Sequence, residues 1–304
     1  MILNLLKECE NTTLSNPKTF KFKTNAQKFT IDFKIKDIIY GNFPHVGISA
    51  HQGIMVLYKK EDDASWLNVD AYTERQNSQI HMHHLVKSGE EYEILIYGPI
   101  LSKLDKLEIE VPDESETHII KKDHTNDILV VGGPHSFGIG CTTASFIFSS
   151  IIGRKLESKI DNLTFNSPNY LKLTDEYIKN NNNSKKYDVA ILEVDYVNQN
   201  SEDTKKYLLE IIQYLQKSCT KVICWYCIPK YKSEKIELIH EILDSELSKD
   251  NIELHDFSFL YDNEYLDICT YSGNFINDSG NVMLYKEFEK IIGEILLEKL
   301  LGGF

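Results

Sequence analysis

The period of the apolar residues changes once along this chain, near Asp127, and the change predicts two different architectures. Before that point apolar side chains recur at every second position, which is the period of a half-buried strand. The alternating positions are Phe20 and Phe22; Phe29, Ile31, Phe33 and Ile35; Tyr92, Ile94 and Ile96; and Leu107, Ile109 and Val111. This pattern predicts an antiparallel β-sandwich of jelly-roll type.

After Asp127, short apolar runs alternate with segments of helical period. The runs cover 128–131, 189–194 and 222–228, and the first is followed by a helix pattern near 142–155. Such alternation predicts a parallel sheet covered by helices on both faces. We therefore expect a β-sandwich domain over residues 1–120 and a three-layer, flavodoxin-like α/β domain over residues 121–304.

Charge and hydropathy exclude several classes of partner. Lys and Arg number 33 against 46 Asp and Glu, so the formal net charge is −13, and without a basic cluster we expect no nucleic-acid partner. No apolar run approaches the roughly 18 residues that span a bilayer, and the first residues lack the pattern of a signal peptide.

Six cysteines are too few for a disulfide scaffold, and we expect a cytoplasmic protein.

Two clusters carry residue types that bind metals, and a structural explanation is favoured for both. Cys224 and Cys227 lie in an apolar run ended by Pro229, and strand residues three apart face opposite sides, so the two sulfurs could not share a metal. His81 and His83 would share one face of a strand, with His84 beside them, but no third ligand is evident at suitable spacing. We expect no metal and no cofactor.

The first strand-to-helix turn of an α/β domain is where a ligand is expected to bind. Here the turn covers 132–143 and reads Gly-Gly-Pro-His-Ser-Phe-Gly-Ile-Gly-Cys-Thr-Thr. It has no lysine for a phosphate loop and lacks the third glycine of a dinucleotide fingerprint. A nucleotide- or cofactor-binding enzyme is therefore the weakest of three functional hypotheses.

This turn resembles block one of the SGNH/GDSL hydrolases, in the branch that carries an N-terminal β-sandwich with a Gly-x-Asp-Leu-Tyr signature. Four further segments resemble that branch: Val56-Leu57-Tyr58 the sandwich signature, 162–166 block two, 188–198 block three, and 272–280, Ser-Gly-Asn-Phe-Ile-Asn-Asp-Ser-Gly, block five. The resemblance extends over nearly the whole chain. It implies an SGNH-type fold for the second domain.

The departures from the family pattern fall on its chemistry. The resemblance implies a serine nucleophile from block one, with an aspartate and a histidine from block five as orienter and base. At these positions the chain has Pro134, Ser272 and Phe275. Proline has no hydroxyl and phenylalanine cannot accept a proton, while loss of a triad member costs on the order of 10⁴ to 10⁶ in rate. Ordinary serine-ester hydrolysis is not expected.

The leading hypothesis is a pseudoenzyme, a non-hydrolytic binding or accessory protein that retains the crevice. Its partner would be a small molecule, an acylated metabolite, a glycan or a protein. The residues expected to line the crevice are Gly133, Pro134, His135, Ser136, Asn166, Asp195, Asn198 and Asn274. The sequence does not determine the oligomeric state.

The alternative is an acyl-ester hydrolase or acyltransferase, acting on a glycan or acylated metabolite, with a rebuilt catalytic set of His135, Ser136, Cys141 and Asp195. Asp195 follows a buried strand and would either orient His135 or be a solvated strand-end acid. Cys141 precedes a predicted helix, where a thiolate is favoured, or packs behind the turn as a small hydrophobic residue. Adjacent side chains on a sharp turn point in different directions, so His135 and Ser136 are not by themselves a base and its nucleophile.

Overall fold

A computed structural model describes residues 1–8, 17–38, 45–61, 63, 65–73, 79–120, 124–181, 185–195, 202–229, 232–247 and 251–301. The chain folds into two compact units. The first unit comprises Met1–Asp123 together with Thr142–Ser145, and the second comprises His124–Cys141 and Phe146–Phe304.

The first unit consists of two antiparallel sheets. Its elements are β1 (Ile2–Asn4), α1 (Leu5–Glu8), β2 (Thr19–Thr24), β3 (Lys28–Lys36), α2 (Ile48–Gln52), β4 (Gly53–Lys60), β5 (Leu67–Thr73), β6 (Gln79–His81), β7 (Tyr92–Tyr97), β8 (Lys103–Glu110) and β9 (Thr117–Ile119). One sheet has the strand order β1-β8-β3-β6 and the other β5-β4-β7-β2-β9. Along β3 the side chains alternate between buried and exposed, and the buried ones join a core shared by both sheets. The predicted β-sandwich is confirmed.

The second unit is an α/β layer structure. Its elements are β10 (Asp127–Gly132), α3 (Pro134–Phe137), α4 (Phe148–Lys155), β11 (Lys159–Thr164), α5 (Tyr170–Asn180), β12 (Tyr187–Glu193), α6 (Glu202–Ser218), β13 (Cys219–Tyr226), α7 (Ser233–Leu247), β14 (Ile252–Asp256), α8 (Leu266–Cys269), β15 (Thr270–Tyr271), β16 (Phe275–Ile276) and α9 (Asp278–Leu300). Five parallel strands have the order β11-β10-β12-β13-β14, the flavodoxin-like order. The predicted α/β class is confirmed.

Four aromatic side chains are prominent in the core on one face of this parallel sheet. Phe288 of α9 stacks on Phe148 of α4 with ring centroids 5.0 Å apart, and it meets Trp225 and Phe257 at 5.7 and 5.1 Å. Cys227 belongs to the same core, whereas Cys224 is buried outside it. The two sulfurs therefore follow the alternation expected of a strand, and the five described cysteines are free thiols.

The segment after β10 differs from the predicted single helix near 142–155. A separate one-turn helix, α3, comes first, and the longer helix α4 begins only at Phe148. Pro134 starts α3 because its fixed φ suits the first helical position and its missing N–H has no partner to lose there. Gly138 ends α3 with a left-handed φ of 94°, which glycine adopts without steric cost.

Among the described residues no helix is both long and apolar enough to cross a bilayer.

We predict that Phe288→Ala lowers the free energy of unfolding by about 3–5 kcal/mol, because it removes a fully buried ring and leaves a cavity among three other aromatic side chains. Urea denaturation followed by circular dichroism measures the change. Leu297→Ala on the same helix is the control, because Leu297 is 56% exposed and should change stability by less than about 1 kcal/mol. Equal effects of the two substitutions would contradict this account of the core.

Candidate functional site

The single-turn helix α3, which follows β10, carries two polar side chains, His135 and Ser136. Gly133 caps α3 in an extended conformation, and the N–H of Gly138 closes the turn by donating to the carbonyl oxygens of His135 and Pro134. A Cβ on Gly140 would lie 2.3 Å from the carbonyl oxygen of Ile276, so this turn lies directly against β16. Its backbone is therefore held at both ends.

Glu193, the last residue of β12, holds the turn from the side of the sheet. Its side chain is fully buried, and its Oε2 accepts hydrogen bonds from the backbone N–H groups of Gly133 at 3.0 Å and Ser136 at 2.7 Å. The Ser136 hydroxyl lies beside the same carboxylate. The Tyr170 hydroxyl donates to the Glu193 backbone carbonyl, which ties α5 to the same point. A single buried acid thus organises the first turn.

Asp195 lies two residues beyond Glu193 and meets His135. Asp195 Oδ1 accepts the backbone N–H of Cys227 at 2.7 Å, and its Oδ2 lies 3.3 Å from His135 Nε2. Because β12 and β13 are neighbouring parallel strands, the residues after them share one edge of the sheet. The structure therefore brings together His135 and Asp195, which the sequence places 60 residues apart.

Burial sets the protonation of this cluster. It lowers the pKa of His135 to about 4, with a smaller contribution from the positive charge of Lys232, so the imidazole is neutral at pH 7. Burial raises the pKa of Glu193 to about 7, against the opposing hydrogen bonds from Ser136 and the backbone amides. Burial and the charge of Glu193 both raise the pKa of Asp195 well above its usual value. The two acids therefore resist being ionised together.

Both candidate nucleophiles are enclosed. Ser136 is 2% exposed and Cys141 is fully buried. The Cys141 sulfur accepts a hydrogen bond from Asn281 Nδ2 at 3.3 Å, and burial, followed by the charge of Asp278, raises the pKa of its thiol. Cys141 is thus a buried neutral thiol, which matches the packing interpretation rather than the thiolate.

The three residues that the resemblance aligns with the family's nucleophile, orienter and base have local structural roles. Pro134 begins α3. Ser272 is an exposed turn residue with a left-handed φ of 53°, between β15 and β16. Phe275 is a half-buried residue of β16, paired with Tyr271. Because proline has no hydroxyl and phenylalanine cannot accept a proton, these three side chains do not form a catalytic triad.

Three further residues are expected in the crevice from the sequence: Asn166, Asn274 and Asn198. Asn166 and Asn274 are exposed loop residues, and the Asn274 side chain donates within its own hairpin to the Ser272 carbonyl. Asn198 lies outside the described residues. His255 of β14 lies 3.1 Å from Glu253 Oε2 and does not belong to the cluster around His135.

A group of potential metal ligands lies elsewhere than in the histidine cluster that the sequence suggests. His81 ends β6, but His83 and His84 lie in the turn that follows, so the expected shared strand face is wrong for His83. Within the described ranges, the one group of three or more potential ligands consists of His135, Glu193 and Asp195, whose ligand atoms lie within 4.8 Å of one another.

Glu193 is the site residue that the sequence analysis missed. It ends the apolar run Val189-Ala190-Ile191-Leu192, where every neighbour is buried. Lone acids are almost never fully buried unless they are paired, so an acid at the end of such a run is itself a signal of a buried polar site.

Solved structures of similar fold were found by comparison, although no family model and no curated protein matches the chain. One is described as a GDSL-like lipase from Bacteroides ovatus, with a TM-score of 0.69 and 18% identity, and the match covers 91% of this chain and 84% of that one. The chain has an SGNH/GDSL-type fold. Two further structures share this fold at lower identity.

One of the two is the salicylyl-acyltransferase SsfX3 from a tetracycline biosynthetic pathway, at 10% identity and a TM-score of 0.57, covering 91% of this chain and 82% of that one. The other is an active-site mutant of a family two carbohydrate esterase from Clostridium thermocellum, at 8% identity and a TM-score of 0.58, covering 91% and 92%. At these identities the likeness shows the SGNH/GDSL-type fold and not an activity.

We predict that the pH dependence of stability changes in Glu193→Gln. In the folded wild type the pKa of Glu193 is about 7 against an ordinary 4.5, so stability is retained below pH 4.5 and falls as the pH rises towards 7. The variant should lose less stability than the wild type over this pH range, and because the charge of Glu193 also raises the pKa of Asp195, the difference reports both acids together. His135 is present in both proteins, so its opposite slope, a loss as the pH falls from 6.5 towards 4, cancels in the difference.

Urea denaturation in EDTA-containing buffers at several pH values measures this difference. Glu264→Gln, at an exposed position, controls for the removal of one negative charge and should run parallel to the wild type. Parallel profiles for Glu193→Gln and the wild type would show that the Glu193 carboxyl is not a buried titrating group.

Proposed function

We propose that this chain is a pseudoenzyme, a non-hydrolytic binding or accessory protein that uses an SGNH/GDSL-type fold for recognition. Its family nucleophile, orienter and base positions carry Pro134, Ser272 and Phe275. The observation that carries the proposal is the burial of the two side chains that could replace the nucleophile, Ser136 and Cys141. A nucleophile must come within bonding distance of an acyl carbon, and an enclosed hydroxyl or thiol cannot.

The ligand proposed is a glycan, an acylated metabolite or another small molecule, with a protein partner as the remaining option. Support comes from the names of structures that share the fold. One is a family two carbohydrate esterase from Clostridium thermocellum in complex with cellohexaose, with a TM-score of 0.52, and another is a salicylyl-acyltransferase. The net charge of −13 supports the proposal that nucleic acid is not a partner.

One observation favours the alternative, an ester hydrolase or acyltransferase with a rebuilt set. His135 Nε2 and Asp195 Oδ2 lie 3.3 Å apart, which brings together the two residue types that serve as base and orienter in a triad. The neutral imidazole could accept a proton, but both candidates for the proton donor are enclosed. The alternative therefore requires an opening motion that exposes Ser136 or Cys141.

A cytoplasmic location is also proposed. Free thiols are typical of a reducing compartment, and the described cysteines are all free. Fractionation of the source cells tests this location, and recovery of the protein outside the cytoplasmic fraction would contradict it.

We expect the purified protein to hydrolyse p-nitrophenyl acetate and butyrate no faster, within about 2-fold, than His135→Ala and Ser136→Ala, because no nucleophile is accessible. Initial rates measured over pH 5–9 give the comparison, and circular dichroism verifies that each variant is folded. Turnover that disappears in both variants would establish the rebuilt enzyme instead.

The same question is answered by mass spectrometry of the native protein. A fluorophosphonate should leave Ser136 unmodified, and iodoacetamide should leave Cys141 unmodified, while all six cysteines should react after unfolding. A native adduct on Ser136 or Cys141 would contradict the enclosed site.

The binding role predicts that a glycan array or calorimetry with acetylated and plain cello-oligosaccharides detects saturable binding. Substituting the exposed loop residues Asn166 and Asn274 by alanine should weaken that binding about 10-fold, whereas Glu264→Ala, the exposed control, should not. Unchanged affinity in the double variant would show that the ligand does not bind at Asn166 and Asn274.

A further inference from the structure

His135, Glu193 and Asp195 form a group of nitrogen and oxygen ligands that the proposed function does not use. One ligand atom from each lies within 4.8 Å of the other two, and the three side chains are at most 5% exposed. They come from α3, from the last residue of β12 and from the loop that follows β12. Glu193 lies in a paired strand, His135 lies in a hydrogen-bonded helical turn, and the Asp195 side chain is held by the backbone N–H of Cys227, so the three side chains are positioned before any ligand arrives.

The hydrogen bonds of the two acids leave one oxygen of each unused. Glu193 accepts the N–H groups of Gly133 and Ser136 through Oε2, and Asp195 accepts the N–H of Cys227 through Oδ1. Glu193 Oε1 and Asp195 Oδ2 are buried without a hydrogen-bond donor from the described residues. Metal-binding carboxylates are commonly oriented in this way, by hydrogen bonds to the oxygen that does not bind the metal.

The spacing between His135 and Asp195 suits a shared ion better than a direct hydrogen bond. A charge-assisted N–H···O bond is usually about 2.7–2.9 Å long. The distance from Nε2 to Oδ2 is 3.3 Å, and Oδ2 is not in hydrogen-bond geometry. Two ligands about 2.1 Å from a tetrahedral zinc ion lie about 3.4 Å apart.

Electrostatics favour a cation at the same point. Two adjacent carboxyls are withdrawn from water, and the charge of Glu193 opposes ionisation of Asp195. The neutral His135 supplies a lone pair rather than a positive charge. Buried acids are normally paired or coordinate a metal, and a divalent ion would neutralise both of these acids.

We propose that His135, Glu193 and Asp195 bind one divalent first-row transition-metal ion, with Zn²⁺ as the best match. An imidazole nitrogen selects against Mg²⁺ and Ca²⁺, which prefer oxygen ligands, while carboxylates and imidazole together suit Zn²⁺. The ion would join the first turn to the end of β12, and three protein ligands would leave the fourth tetrahedral position of Zn²⁺ to a water molecule. This inference goes beyond the proposed function and is independent of ester turnover.

The test uses the full chain, stripped with a chelator and then dialysed against Zn²⁺, Mn²⁺, Mg²⁺ or Ca²⁺. We expect plasma mass spectrometry to find one Zn²⁺ per chain and no retained Mg²⁺ or Ca²⁺. His135→Gln and Asp195→Asn should each weaken Zn²⁺ binding about 100-fold or more, measured by competition with a chromophoric chelator. His255→Gln is the matched control, because His255 also lies beside a carboxylate, Glu253, but has no third ligand among the described residues.

A Co²⁺ titration provides a second readout. The wild type and His255→Gln should develop the strong visible absorption of four-coordinate Co²⁺, and His135→Gln should not. If the variants do not fold, anomalous diffraction at the zinc edge from wild-type crystals decides, since the peak must lie between His135, Glu193 and Asp195. No bound Zn²⁺ in the wild type, wild-type affinity in both ligand variants, or a peak elsewhere would overturn the proposal. Zinc binding without ester turnover leaves the proposed function intact. Ester turnover would overturn the proposed non-hydrolytic function, and absence of zinc binding would independently overturn the metal site.

Discussion

A buried carboxylate at the end of a central strand is the constraint on which the site depends. Glu193 is withdrawn from water, yet it accepts two backbone N–H groups from the turn after β10. Those bonds fix α3, and α3 fixes where His135 can point. Replacing this acid by an apolar residue would leave two amide groups buried and unpaired, which costs more than the hydrogen bonds contribute in net stability. The geometry of His135 and Asp195 therefore follows from Glu193.

The chain has an SGNH/GDSL-type fold, and Pro134, Ser272 and Phe275 each suit the local backbone. Pro134 is favourable where a helix begins, Ser272 occupies a left-handed turn position, and Phe275 pairs within a short hairpin. The same edge of the sheet has gained a buried group of one imidazole and two carboxyls. Enclosure makes that group suited to holding a proton or a cation rather than to attacking a substrate.

Much of the fold could be predicted because burying one face of a strand or helix makes apolar side chains recur at a fixed spacing along the sequence. The alternation along β3 and the continuous apolar run of β10 identify a sandwich strand and a central parallel strand without further information. Short-range features were harder. The one-turn helix at Pro134 was not foreseen, since four residues carry no period, and His83 was assigned to a strand that ends at His81. The sequence left open whether Asp195 orients His135 or is a solvated acid at the end of a strand. Glu193 was missed because it directly follows an apolar run and was read only as the end of that strand.

The sequence by itself determined what two side chains cannot do: Pro134 carries no hydroxyl and Phe275 takes no proton, whatever the fold around them. It also determined the two kinds of sheet, because side-chain period is a local property. Only the tertiary structure decided that Ser136 and Cys141 are enclosed and that His135, Glu193 and Asp195 converge. Burial and convergence arise when β10, β12 and β13 end at one edge of the sheet, and pairing between strands distant in the chain leaves no local signature.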